Sequence, residues 1–243
     1  MDIKNHLPNL ITLGNLFCGI LASIFAVDGH FELTFLFVVL GVFLDFFDGF
    51  LARILKVSGE LGKQLDSLAD MVTSGVVPGI VLFYLLGNKG QLLHEINNEF
   101  LIPSGLPLFG LLITLAACYR LAKFNLDTRQ SEFFIGLPTP AMSLFIVSLP
   151  LIQMHTENLF IKDLIDNNYF LIGTTILLSY LMNVELLLFS FKFKNYSLKE
   201  NLYKYILIVF SIALLINLEY LAIPLIIMSY ILLSMLKNFN TSG

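Results

Sequence analysis

Four aspartates lie in or against apolar sequence: Asp45 and Asp48 within GVFLDFFDGFLARIL, and Asp66 and Asp70 within GKQLDSLADMV. An ionised carboxylate is costly in hydrocarbon surroundings, so acids placed there mark functional sites by default. Spacing gives each pair a geometry. Asp45 and Asp48 stand at i and i+3, Asp66 and Asp70 at i and i+4, so on helices each pair projects from one face. Two such faces opposed make a carboxylate cage whose repulsion is relieved only by cations, and hard oxygen ligands favour Mg²⁺, Mn²⁺ or Ca²⁺ over zinc. A divalent metal site, binuclear with four carboxylates, is the expectation. Snorkelling or capping near a helix end would account for one isolated Asp but not for four together.

Between the pairs runs Asp48-Gly49-Phe50-Leu51-Ala52-Arg53. Gly49 and Ala52 leave a helix surface bare where a bulky ligand can approach, although small residues also simply allow close helix packing. Arg53 places a guanidinium fork, suited to phosphate, one turn beyond Gly49.

The whole pattern, Asp45-x2-Asp48-Gly49-x2-Ala52-Arg53-x8-Gly62-x3-Asp66-x3-Asp70, resembles the signature of the CDP-alcohol phosphotransferase family at every fixed position. The resemblance implies an all-α, polytopic membrane bundle. It implies two divalent cations, Mg²⁺ or Mn²⁺, held by Asp45, Asp48, Asp66 and Asp70 and clamping the diphosphate of a CDP-linked donor. Asp70 would also be the catalytic base, while Gly49, Ala52 and Arg53 would shape and contact the nucleotide diphosphate. Pro8-Asn9-Leu10-Ile11-Thr12 is similar to the family's donor-contacting opening, which points to Asn9 and Thr12; Asn9 as a plain helix cap is the competing reading. The donor-contacting Ser or Thr that often follows the motif arginine by six residues falls on Gly59 here, with Ser58 just before it.

Further segments resemble the bacterial and archaeal branch whose acceptor is L-serine: Asn15-Leu16-Phe17-Cys18-Gly19, Leu65 to Asp70 followed by Gly75-Val76-Val77-Pro78, Arg120 to Asn125, Phe134 to Ala141, and Ser190-Phe191-Lys192. The implied reaction moves the phosphatidyl group of CDP-diacylglycerol to the serine hydroxyl and releases CMP. Serine's carboxylate needs a cation, and Arg120 is the candidate, with a positive-inside anchor as its alternative role. Lys123 and Arg129 read as anchors or lipid-headgroup contacts. A homodimer and a prokaryotic cytoplasmic membrane are expected from the same resemblance. The shared motif also fits other acceptors, glycerol 3-phosphate or inositol phosphate. An ion or proton transporter is the rival from another class, but it would spread its acids through the bilayer depth.

The elements needed to position these groups follow from composition. The chain has 243 residues, 57% hydrophobic and 13% charged, against the roughly 25% charge of a soluble domain. Hydropathy broken at Gly, Pro and polar residues gives eight spans, near 8–27, 31–55, 66–87, 106–124, 138–155, 169–191, 203–218 and 220–237, in one domain over 1–243. The last pair, separated only by Asn217-Leu218-Glu219, could also be one bent element. Twelve of the 14 basic residues fall on one side of this arrangement, leaving Lys89 and Lys162 on the other, which places both termini and the aspartates at the cytoplasmic face. A net charge of −4 with scattered basic residues gives no argument for nucleic acid. Cys18 and Cys118 lie in apolar runs without metal-ligand spacing, and no catalytic role falls to the four histidines or the 23 phenylalanines.

Overall fold

The computed structural model describes residues 6–57, 59–87, 105–127, 133–190, 197–198 and 200–241. Helices α1 (Leu7–Val27) and α2 (Phe31–Leu55) form the most extensively packed pair in the bundle. Pro8 sits in the first turn of α1, where its missing N–H has no intrahelical partner to lose. Ala22, Ala26 and Gly41, all buried, let the two backbones approach closely, the means by which membrane helices associate without a hydrophobic driving force.

The third helical run is compound: α3 (Glu60–Asp70) continues through a π-helical turn (Met71–Val76) into α4 (Val77–Leu86). Pro78 explains part of this. In a π-helical turn the Thr73 carbonyl would accept from the N–H five residues on, and Pro78 has none. Ser143 Oγ takes that carbonyl instead at 3.4 Å, while Thr114 Oγ1 donates to the Gly75 carbonyl at 2.8 Å. Hydroxyls from neighbouring helices thus satisfy backbone groups that hydrocarbon could not.

Turns at Gly105–Leu108 and Phe109–Leu111 lead into α5 (Leu112–Leu126), followed by α6 (Thr139–His155), α7 (Leu159–Asp166) and α8 (Asn168–Asn183). α6 is buried from Phe145 to Ile152 and forms the middle of the bundle. Asn158 and Asn167 cap α7 and α8 by accepting from backbone N–H groups of their first turns. α9 (Leu202–Leu218) and α10 (Ala222–Thr241) pack against each other after a break at Glu219, whose φ is +46°. They are two helices, not one bent element.

Large apolar side chains cover the outside, among them Leu10 at 66% exposure, Phe46 at 63% and Ile216 at 77%. A surface so continuously apolar has lipid as its solvent. Among the described residues, Leu7–Val27, Phe31–Leu55, Glu60–Leu86, Gly105–Leu126 and Leu202–Phe239 are long and apolar enough to cross a membrane, and the protein is a helical membrane protein.

One expected span is corrected. The run 169–191 does not continue as helix: α8 stops at Asn183, and Leu187–Phe189 is a strand, β2, paired antiparallel with β1 (Phe133–Ile135) in the register Phe133↔Phe189 and Ile135↔Leu187. A short apolar run reads the same to hydropathy whether helical or extended. The strand is selected by partners far away in sequence: Gly136 N donates to Leu186 O at 2.8 Å and Leu137 N to Leu181 O at 2.9 Å. Gly136 has φ +76°, and a Cβ there would collide with the Met182 carbonyl, so glycine is required where β1 crosses the end of α8.

Candidate active site

The first two helices and the third run converge on four carboxylates. α2 presents Asp45 and Asp48, and α3 presents Asp66 and Asp70 across from them. One carboxylate oxygen from each of Asp45, Asp48 and Asp66 lies within 4.8 Å of the other two. Oxygen ligands on opposite sides of a Mg²⁺ or Ca²⁺ ion stand about 4–5 Å apart, so this trio has the donor chemistry and the span to hold a hard cation. Asp70 lies outside the trio, one turn deeper, yet close enough to Asp45, Asp66 and Asp48 for strong mutual electrostatics.

α1 supplies the partners that fix these acids. Thr12 Oγ1 is in hydrogen-bond contact with Asp48 Oδ2 and lies 3.1 Å from the Pro8 carbonyl, while Asp48 is only 6% exposed. Asn15, fully buried, donates from Nδ2 to Asp70 Oδ1 at 3.2 Å and accepts at Oδ1 from Thr73 Oγ1 at 2.8 Å. The Thr73 hydroxyl also has the Asn15 backbone carbonyl in reach, at 3.1 Å. Close backbone approach makes this relay possible: a Cβ on Gly19 would meet Thr73 N at 2.9 Å, and one on Gly41 would meet Thr73 Cγ2 at 2.7 Å.

Above the acids opens a cleft of about 370 Å³. Pro8, Asn9 and Thr12 line it from α1, Asp45, Phe46, Asp48, Gly49, Ala52 and Arg53 from α2, and Val57, Gly59, Gly62, Lys63 and Asp66 from the turn and α3. Gly49 faces open space, with nothing within 4 Å of where a Cβ would stand. The cleft has an acidic floor and a rim carrying Arg53 and Lys63, an arrangement suited to a diphosphate held through cations on one side and guanidinium or ammonium on the other. Lys63 Nζ also donates to the Asn125 carbonyl, and Asn125 Nδ2 donates to Ser67 Oγ at 2.8 Å, tying α3 to the end of α5.

Of the residues expected from sequence, Asn9, Thr12, Asp45, Asp48, Gly49, Ala52, Arg53 and Asp66 are brought together around this cleft. Asp70 lies beneath it. Ser58 and Arg129 fall outside the described residues. Arg120, on α5, is 6% exposed, does not line the cleft, and lies in electrostatic range of Asp70. Its guanidinium carbon stands 5.5 Å from the Phe124 ring centroid, and its Nε has no hydrogen-bond partner. Lys123 Nζ reaches the last turn of α8, 3.4 Å from the Asn183 carbonyl, as a basic side chain capping a helix C-terminus. Sequence reasoning passed over Asn15, Lys63 and Thr73 as site residues. Asn15 did carry a signal, since Pro8, Thr12 and Asn15 share one helical face with Gly19.

The model of the family described as CDP-alcohol phosphatidyltransferase matches residues 5–232. A relative named CDP-diacylglycerol–serine O-phosphatidyltransferase from Bacillus subtilis (strain 168) is 36% identical over 149 residues, covering 60% of this chain and 75% of that one. One of the same name from Helicobacter pylori (strain ATCC 700392 / 26695) is 30% identical over 215 residues, 85% of this chain and 80% of its own. An archaetidylserine synthase from Methanothermobacter thermautotrophicus is 30% identical over 154 residues, 62% of this chain and 60% of its own. With the match running through nearly all the described helices and over the aspartate cage, the chain belongs to the CDP-alcohol phosphatidyltransferase family.

Proposed function

We propose that this protein transfers the phosphatidyl group of CDP-diacylglycerol to L-serine, forming phosphatidylserine and CMP. The names of its relatives supply the two substrates. The observation that carries the reading is the trio Asp45, Asp48 and Asp66 with its donors inside 4.8 Å, set beside a buried Asp70 and below a cleft rimmed by Arg53.

The reaction forms a bond from the serine hydroxyl oxygen to the lipid-side phosphorus and breaks the bond from that phosphorus to the CMP oxygen. Asp45, Asp48 and Asp66, with Asp70 at the edge of the cluster, are the groups that would hold two divalent cations, Mg²⁺ or Mn²⁺. Such cations, when bound, neutralise the diphosphate and the charge developing on CMP. Asp70 accepts the hydroxyl proton. Asn15 occupies Oδ1 of Asp70, leaving the second oxygen for that proton. Asn9, Thr12, Gly49, Ala52 and Ser58 form the donor's bed, with Arg53 against its diphosphate. Arg120, buried with an unpartnered Nε, offers a charge-assisted contact to the serine carboxylate. The active site faces the cytoplasm with both termini on that side.

The test is CMP release by the purified protein from CDP-diacylglycerol with Mg²⁺ or Mn²⁺, comparing serine, glycerol 3-phosphate and inositol phosphate. Release with serine alone, reduced at least 100-fold in Asp70→Asn, supports the proposal. Release with another acceptor keeps the family and replaces the substrate. The homodimer is tested by mass measurement of the protein in lipid nanodiscs.

A further inference from the structure

The last turn of α5 reaches the donor side of the molecule. Carbonyls at a helix C-terminus have no partner within the helix. One of them, Asn125 O, accepts from Lys63 Nζ, and the Asn125 amide donates to Ser67 Oγ at 2.8 Å. Lys63 and Ser67 stand at i and i+4 on α3, so a single residue of α5 grips two successive turns of that helix. Near the start of α5, Thr114 Oγ1 holds the Gly75 carbonyl at 2.8 Å. The helix is therefore pinned to the third helical run at both of its ends.

Lys63 is an exposed side chain with a fixed anchor. It lines the cleft of about 370 Å³ from α3, as Arg53 does from α2, whereas Lys56, three residues beyond Arg53, lies outside that lining. An ammonium carries three hydrogens, and the Asn125 carbonyl takes one, which leaves two for a ligand in the cleft. A lysine stem loses rotamer freedom when it grips a phosphate, and a standing bond to a backbone carbonyl incurs part of that loss before the ligand arrives. Ser67, where the Asn125 amide is fastened, adjoins Asp66, so one turn of α3 carries both an acid of the cation trio and the mooring of the rim lysine. A lysine that only capped α5 would satisfy the same carbonyl, but it would have no reason to line the cleft.

We propose that Lys63 is a second protein cation for the donor's diphosphate, beside Arg53, and that Asn125 is the positioning residue that holds it at the cleft. The segment Arg120 to Asn125, whose resemblance points toward the serine-using branch, then serves the donor through its last residue. This rests on the reading of CDP-diacylglycerol as the donor.

The experiment pairs calorimetric binding of CDP, in Mg²⁺, with steady-state kinetics of CMP release by the purified protein. The variants are Lys63→Met, Lys63→Arg, Asn125→Ala, the double variant Lys63→Met with Asn125→Ala, and Lys56→Met as a control for general loss of positive charge. Lys63→Met is expected to weaken CDP binding and raise KM for CDP-diacylglycerol roughly 10-fold, as for one charge-assisted hydrogen bond, with KM for serine within about twofold. Lys63→Arg should keep most of the affinity, since a guanidinium also suits phosphate. Asn125→Ala, which removes the amide and keeps the carbonyl, should raise KM for CDP-diacylglycerol roughly threefold, and should add nothing in the Lys63→Met background. Lys56→Met should leave both readouts unchanged. Unaltered CDP affinity in Lys63→Met, a fall in its melting temperature alone, an equal effect in Lys56→Met, or an Asn125→Ala effect that falls on serine or adds fully to Lys63→Met would each overturn the proposal. A wild-type protein that neither binds CDP nor releases CMP with any acceptor would instead overturn the donor reading, and the role of Lys63 with it.

Discussion

Thr12 has one hydroxyl hydrogen and two acceptors in reach, the Pro8 carbonyl and Asp48 Oδ2. Given to Asp48, it holds that carboxylate toward Asp45 and Asp66; such partners of a metal ligand are typically worth 10- to 100-fold in metal affinity. Thr12→Val should therefore require roughly 10-fold more Mg²⁺ for half-maximal CMP release, measured at saturating CDP-diacylglycerol because Thr12 also lines the donor cleft. Asn15 acts on the other acid. In Asn15→Leu, Thr73 keeps the backbone carbonyl of residue 15, 3.1 Å away, so the loss falls on Asp70 alone. Removing a hydrogen bond to a buried carboxylate should cost about 1–3 kcal/mol, read as a fall in kcat at saturating metal and as lower thermal stability. Both residues could be seen in the sequence as polar positions on the inner face of α1. Only Thr12 was read as a ligand contact; the resemblance took Asn15 merely as part of a branch-specific segment, and nothing in the chain says which residue meets Asp70.

At the level of elements, glycines separate stability from function. A Cβ on Gly19 would stand 2.9 Å from Thr73 N and 3.0 Å from Thr73 Cα, backbone atoms that cannot swing aside. Gly19→Ala should therefore destabilise the protein by about 1–3 kcal/mol and displace the π-helical turn that carries Thr73. Gly49→Ala should do the opposite: nothing lies within 4 Å, and alanine is the better helix former, so thermal stability should hold or rise. Its activity should nonetheless fall, as a higher KM for CDP-diacylglycerol, because the added methyl enters the cleft. The helices were legible in hydropathy, and the spacing of the four aspartates foretold that α2 and α3 face each other. The β1–β2 ribbon and the π-helical turn were not. Each is fixed by partners on other helices: Gly136 against Met182, Thr114 and Ser143 against the Gly75 and Thr73 carbonyls of the turn. A single strand of sequence does not announce such pairings. The residues after 200 read as apolar spans, and Tyr230, Ser234 and Asn238 look like isolated polar positions until β2, whose backbone they hydrogen-bond, is known to lie beside them.

For the whole molecule, the basic residues on the aspartate side predict which end of the bundle meets the cytoplasm. With Cys18 and Cys118 replaced by serine, a cysteine at Lys56 should react with an impermeant maleimide only after the membrane is opened, and one at Lys162 should react in sealed cells. The reverse pattern would place the cleft outside, beyond the reach of a cytoplasmic donor. The strand pair also gives the molecule an order of construction. β1 precedes and β2 follows α6, α7 and α8, so the ribbon cannot close until those three helices have been laid down. Asp48 and Asp70, by contrast, find Thr12 and Asn15 in helix α1, which leaves the ribosome before α2 and α3. A nascent chain interrupted at the end of α8 would already hold its four aspartates and their partners on α1 while β1 still lacked its strand, so synthesis completes the acidic site before the ribbon.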